Sequence, residues 1–217
     1  MSAARPPEGA RTAAGQREGA PVSSRLDDYS PERLADRMQI QDCMYRWCRA
    51  VDRLDFSGIR DVFHADAMDM HGAYDGPVDG LVDWIRQRHA AIPFSMHAVS
   101  NLLIEFAGPD LALVETYVRT TQRYPAQARA ALDQLAGGKA GAGDGGMDLM
   151  TCSRYVDRFE RREDRRWKIA HRTLVADWKQ FVPVPEGQPT PPASQQTGRR
   201  DADDFIFQQR RALGIEP

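Results

Sequence analysis

The tightest constraint on this chain is the order in which two kinds of periodicity occur. One long stretch with helical spacing comes first, and four long alternating runs follow. The helix opens at Ser30-Pro31-Glu32, with Ser as N-cap, Pro at the first helical position and an acid in the first turn. Ile40, Met44, Trp47 and Val51 then fall on one stripe, which predicts a helix to about Val51. A short second helix is read at Asp55–Phe63, a strand at Ala67–His71 and a third helix at Asp79–Ile92. The alternating runs cover about 96–106, 111–124, 149–162 and 166–178, with turns at Gly108-Pro109-Asp110 and Glu163-Asp164-Arg165. Helices followed by long strands predict an α+β fold, a strongly curved antiparallel sheet around the first helix with a pocket between them.

Composition limits how much of the chain joins that fold. Residues 1–29 hold almost no large apolar side chains, and residues 183–200 carry five prolines among polar residues, so both ends read as poorly ordered tails. The remainder, 30–182, is one domain with room for a single core. An insert at 125–146 interrupts the strands: a short helical composition to Ala136, then a glycine-rich stretch that reads equally as a lid, an interface arm or a tolerated insertion. In the tail beyond 183, Phe205-Ile206-Phe207 stands out and is read either as docking on the domain or a neighbouring subunit, or as a disordered end. A net charge of −2 argues against a nucleic-acid binder. There is no signal-peptide pattern and no bilayer-length apolar run. Three cysteines without metal-ligand spacing read as reduced thiols of a cytoplasmic protein.

The residues that suggest chemistry sit at the end of the first helix and the start of the first long strand. Beside the apolar stripe runs a second one, Gln41, Tyr45, Cys48 and Asp52, which either lines a cavity or is the wet edge of a surface helix. His97 opens a β-run. A carboxylate that orients an imidazole makes a proton-abstracting base near neutral pH; alternatively His97 is a core histidine and Asp52 a solvated helix-end carboxylate. Asp55 suits the plainer role of N-cap for the second helix. Asn101 shares a face with His97 if the strand is regular. By plain alternation Arg172 lies opposite Trp167, Ile169 and His171, so one of Arg172 and His171 points inward. His64, Asp66, Asp69 and His71 resemble a metal cluster in composition alone, and a turn into a strand explains them better, so no metal site is expected.

Several local motifs together resemble the nuclear transport factor 2-like superfamily and, within it, the SnoaL-like group. They are Ile40-Gln41-Asp42 with Tyr45, Arg49-Ala50-Val51-Asp52-Arg53-Leu54-Asp55, Val62-Phe63-His64-Ala65-Asp66-Ala67 and Tyr74-Asp75-Gly76. His97-Ala98-Val99-Ser100-Asn101, Arg154-Tyr155-Val156-Asp157-Arg158-Phe159 and Trp167-Lys168-Ile169-Ala170-His171-Arg172 complete the set, which spans about residues 32–180. The resemblance implies a cone with a deep, largely apolar cavity. It makes Asp52 and His97 the Asp–His dyad of the scytalone dehydratase and hexachlorocyclohexane dehydrochlorinase branch, and puts Arg172 where the dehydrochlorinase carries a catalytic arginine. Tyr45 would assist catalysis; Trp47, Asn101 and Tyr155 would contact substrate. The branch carries a lysine where this chain has Trp47, so the cation that would stabilise a leaving chloride is replaced by an aromatic surface. The implied activity is a lyase without metal or organic cofactor, acting on a small hydrophobic or aromatic substrate. A homodimer or homotrimer is implied by the same resemblance.

Overall fold

The computed structural model describes residues 29–136, 145–185, 187 and 191–215. The tail read at 1–29 lies almost wholly outside them, as does most of the glycine-rich stretch of the insert. In order along the chain the elements are α1 (Pro31–Arg53), α2 (Phe56–Asp61), β1 (Phe63–Met70), β2 (Asp75–Pro77) and α3 (Val78–His89). There follow β3 (Phe94–Gly108), β4 (Leu111–Tyr124), α4 (Arg129–Ala136), β5 (Met147–Arg161), β6 (Trp167–Pro183) and α5 (Phe205–Ala212).

Local chemistry sets the helix ends. The Ser30 side chain accepts the Arg33 N–H, and Leu54 in the left-handed region donates back to the carbonyls of Ala50 and Val51. Asp55 caps α2 by accepting the Gly58 N–H.

The six strands form one sheet in the order β2-β1-β6-β5-β4-β3. Four neighbouring pairs are antiparallel, but β1 runs parallel to β6, so the sheet is mixed where a wholly antiparallel one was expected. Helix α1 touches both β3 and β6. Those strands stand three spacings apart in the sheet, about 14 Å if flat. A helix about 10 Å across bridges them only because the sheet curls around it. The core is this inner space: Ile40, Met44, Trp47 and Val51 of α1 are essentially fully buried with Val114, Val118, Tyr155, Phe159 and Ile169 of the sheet. A carboxylate pins each half of α1. Asp36 accepts from Trp167 Nε1 at 2.8 Å and from Arg161 at 2.7 Å; Asp52, nearer the other end, is described below.

The helix expected in the insert is present and packed, since Leu132 is fully buried in a smaller cluster with Ile92, Tyr124, Ala128, Met147 and Leu149. The sequence reading leaves everything after residue 183 as a tail; the structure folds part of it back. Asp204 caps α5 and pairs with Arg53 at 3.4 Å, while Arg200 reaches the end of α1. No helix among the described residues is long and apolar enough to cross a membrane.

Candidate active site

Asp52 and His97 meet at the last turn of α1. Nδ1 of His97 lies 2.7 Å from Asp52 Oδ1, and the backbone N–H of His97 donates to Oδ2 at 2.8 Å. Ser95, two residues earlier on the same face of β3, donates its hydroxyl to Oδ1 at 3.0 Å. With the Ser95 hydroxyl and the His97 N–H both donating to it, the carboxylate faces Nδ1 as an acceptor. An acceptor-only partner assigns the ring proton to Nδ1 and leaves the lone pair on Nε2, which makes no hydrogen bond among the described residues.

A buried chain of donors supports this arrangement from behind. Arg88 can only donate, so its 2.9 Å contact fixes Oε1 of Gln122 as the acceptor. The Gln122 amide nitrogen therefore faces Ser95 Oγ, at 3.3 Å, and the Ser95 hydroxyl is turned onto Asp52. Arg200 closes the back of the site. It donates to the carbonyls of Val51 (3.1 Å), Asp52 (2.9 Å) and Ile92 (2.8 Å), and to Nδ1 of His89 (2.9 Å). Burial pulls the Arg200 guanidinium down to about 10, with Asp52 opposing. Burial, then the charges of Arg88 and Arg200, hold His89 well below the ordinary histidine range, so it is neutral.

His97 pairs across the ladder with Thr120, on the face shared by buried Val118 and Gln122. It therefore points inward, and its side chain keeps 7% of its exposure. Val99, Leu102, Leu174 and Trp84 are half-buried against the core, and His71 is half-buried too. Further in stand Trp47, Phe63, Tyr155 and Arg172, all buried. Trp47 meets Phe63 and Tyr155 edge-on at 5.5 and 6.2 Å, and the Arg172 guanidinium lies over the Tyr155 ring at 4.1 Å and the Trp47 ring at 4.6 Å. A groove of about 1010 Å³ lies elsewhere, between the end of α1, α2 and α5, and neither Asp52 nor His97 lines it.

The other expected site residues divide. Arg172 does point inward, because a bulge at Ala170 shifts the β5–β6 register and lets Ile169 and Arg172 share a face. It is fully buried and holds Asp157 in a two-pronged pair at 2.8 and 2.7 Å. Burial opposes both charges. The Asp157 carboxylate still lifts the guanidinium above its ordinary value, and the fork geometry keeps the pair ionised. Trp47 and Tyr155 are interior wall residues, 1% exposed each. The Trp47 N–H is buried without a hydrogen-bond partner among the described residues.

Two expectations are corrected. Tyr45 is 49% exposed, and its hydroxyl accepts from Gln41 at 2.6 Å. It flanks the buried arc of α1 as Asp52 does, but Ser95 and His97 cover that flank only at Asp52, about 10 Å further along the axis. Asn101 is exposed because a bulge between Val99 and Leu102 breaks the alternation that would have aligned it with His97.

Sequence reasoning missed Ser95, Gln122, His89 and Arg200. Ser95 was recoverable from its i−2 position to His97; Arg200 sits in a polar tail that gave no signal. It also passed over Asp69 and His71, whose side chains bond at 3.0 Å. Among the described residues no group of three or more His, Cys, Asp or Glu is placed to hold a metal ion.

The SnoaL-like domain model matches residues 32–173. No curated protein matches the chain. Among solved structures, a putative scytalone dehydratase from Novosphingobium aromaticivorans superposes with a TM-score of 0.54 at 17% identity, over 72% of this chain and 97% of that one. A hexachlorocyclohexane dehydrochlorinase from Novosphingobium barchaimii LL02 does so with 0.55 at 20% identity, over 78% and 100%. The Kfla4162 protein from Kribbella flavida gives 0.55 at 18%, over 68% and 94%. At such identities the likeness is one of fold. The family model covers most of the chain, and with the shared fold it makes this protein a member of the SnoaL-like domain family, within the nuclear transport factor 2-like superfamily.

Proposed function

We propose that this protein is a cofactor-independent lyase in which His97 removes a proton from an aromatic or polycyclic substrate and a small group, water or formaldehyde, is then lost. The observation that carries the reading is the bonding of Asp52. Its oxygens take the Nδ1 proton, the backbone N–H of His97 and the Ser95 hydroxyl, so the basic nitrogen is Nε2, on the inner face of the sheet. Asp52 stabilises the imidazolium formed on proton transfer, and such a positioned base contributes ~10²–10⁴-fold. Half-buried Val99, Leu102, Leu174 and Trp84 supply an apolar and aromatic approach. Arg172 lends positive charge from below through Nη1, which has no hydrogen-bond partner among the described residues. The dehydratase and dehydrochlorinase among the fold relatives are named for eliminations, which suits this chemistry.

The test is a panel of β-hydroxy ketones bearing aryl groups, with wild type, His97→Ala and Asp52→Asn compared for product. Turnover by wild type and a loss of at least ~10²-fold in both variants is the expected result. Turnover that survives both changes refutes the assignment. Binding without product in any variant instead favours a ligand-binding module, and rearranged product without loss of a group favours an isomerase. We also propose self-association through the outer sheet face, where Leu103, Leu113, Tyr117 and Met150 are exposed; sedimentation would show a dimer or trimer, and a monomer would refute it.

A further inference from the structure

We propose that Asp69 and His71 form a second proton-transfer dyad, and that His71 protonates the oxygen that leaves while His97 takes the proton from carbon. This rests on the lyase reading above and assigns the half of the reaction that the first dyad leaves open: a hydroxyl is a poor leaving group unless a proton reaches it.

Several independent features of the fold converge on His71. Asp69 is fully buried at the end of β1, and its Oδ1 holds His71 Nδ1 at 3.0 Å. The carboxylate again fixes the ring proton on Nδ1, so Nε2 is the working nitrogen, and it makes no hydrogen bond among the described residues. The backbone fixes the ring's position too. His71 N–H donates to the Tyr74 carbonyl at 2.7 Å, and Gly72 turns the chain with a φ of 78°. The ring stands among Trp84, Tyr155 and Trp47, with centroids at 5.9, 6.1 and 6.5 Å. A single imidazole in aromatic walls is what an aromatic hydroxy compound would meet.

The neighbourhood also holds unmet polar valences. Oδ2 of Asp69 and Nη1 of Arg172 are both buried without a hydrogen bond among the described residues, and the two residues are partners across the β1–β6 ladder. One accepts and the other donates, which suits a hydroxyl. Each such atom costs about 1–3 kcal/mol when buried unpaired, which a bound hydroxyl would offset.

Helix α3 touches His71 at one point and, further along, the support of the first dyad. Trp84 packs on His71, and His89 borders the Gln122–Ser95 chain that ends at Asp52. Five residues of helix separate those two contacts by about 7.5 Å along the axis. The two sides differ in what they offer a hydroxyl: Asp52 is already shared among its donors, whereas Asp69 Oδ2 and Arg172 Nη1 beside His71 are unpaired among the described residues, which puts the leaving oxygen on the His71 side.

In the elimination His97 Nε2 takes the α-proton, and the C–H electron pair becomes the new C=C bond. The C–O bond breaks with its pair on oxygen. That oxygen takes the proton from the His71 imidazolium and leaves as water. His97 ends protonated and His71 neutral, and exchange with solvent restores both.

The experiment uses the full chain and a β-hydroxy ketone with one phenyl ring on the carbonyl and another on the α-carbon. Exchange of the α-hydrogen in D2O reads abstraction; the enone reads elimination. His97→Gln should lose both. His71→Gln should keep exchange within about 3-fold of wild type while elimination falls by ~10²-fold or more. Replacing the hydroxyl by acetate, which departs without a proton, should restore elimination to the His71 variant. Equal loss with either leaving group, or exchange that falls with elimination, makes His71 a structural residue and overturns the proposal while the first dyad stands. A His97 variant that still exchanges, or a wild type that does not, removes the lyase reading and the second dyad with it.

Discussion

Asp52→Asn tests the dyad at the level of single hydrogen bonds. The wild-type carboxylate accepts from three donors: Ser95 Oγ, His97 Nδ1 and the His97 backbone N–H. An asparagine amide offers one oxygen and one NH2 in the same two places. If the oxygen faces Ser95 and Nδ1, the NH2 meets the buried backbone N–H of His97, donor against donor. If the amide turns over, the NH2 meets Nδ1, which must then give up its proton to Nε2, and the base is lost. Either way one buried donor is unpaired, at about 1–3 kcal/mol. For a chain of this size that lowers the melting temperature by roughly 2–12 °C. Circular dichroism reads the melt, 15N-resolved NMR of the histidine rings reads the tautomer, and enone formation reads activity, expected to drop by ~10²–10⁴-fold. An unchanged melt together with an Nε2 that keeps its lone pair would show that Asp52 does not orient His97.

Other outcomes follow from charges and burial. Asp157→Ala strands the Arg172 guanidinium without its fully buried partner and should cost about 3–5 kcal/mol in urea denaturation, whereas replacing both residues with apolar ones of similar size should recover much of it. His89 is held well below its ordinary range in the fold, so as pH falls below about 6.5 the unfolded chain takes up a proton that the native chain refuses. Stability should therefore fall by up to about 1.4 kcal/mol per pH unit on that account, and His89→Gln should remove this part of the slope between roughly pH 6.5 and 5; an unchanged slope counts against a neutral His89. Burial pushes the Cys43 and Cys48 thiols up to about 12, so at pH 8 the native protein should yield Cys152 alone to a thiol reagent, with the other two reacting after denaturation.

The fold was legible where local signals were redundant. Ser30-Pro31 and Asp55 mark helix starts with side-chain bonds that form as read, and the strand runs stand out because inner and outer residues alternate. Parallel pairing of β1 with β6 was not legible, since nothing in either strand's pattern states which neighbour it will take. Bulges decided the site residues. The irregularity at Ala170 brings Arg172 inside against plain alternation, and the one after Val99 turns Asn101 out. A bulge shifts phase by one residue without any compositional mark. Tyr45 failed for a different reason: helical spacing gives the angle around an axis, not how far along it the sheet extends. Arg200 was invisible because its partners are backbone carbonyls and a neutral histidine, none of which leaves a trace in the tail's sequence.

A crystal structure of the protein with an analogue of the diaryl hydroxy ketone that cannot eliminate would show whether His97 Nε2 meets the reacting carbon. The reacting carbon should stand about 3–3.5 Å from His97 Nε2, with the Asp52 contacts intact. An analogue seated instead in the groove between α1 and α5, or an Nε2 capped by a protein group, would contradict it.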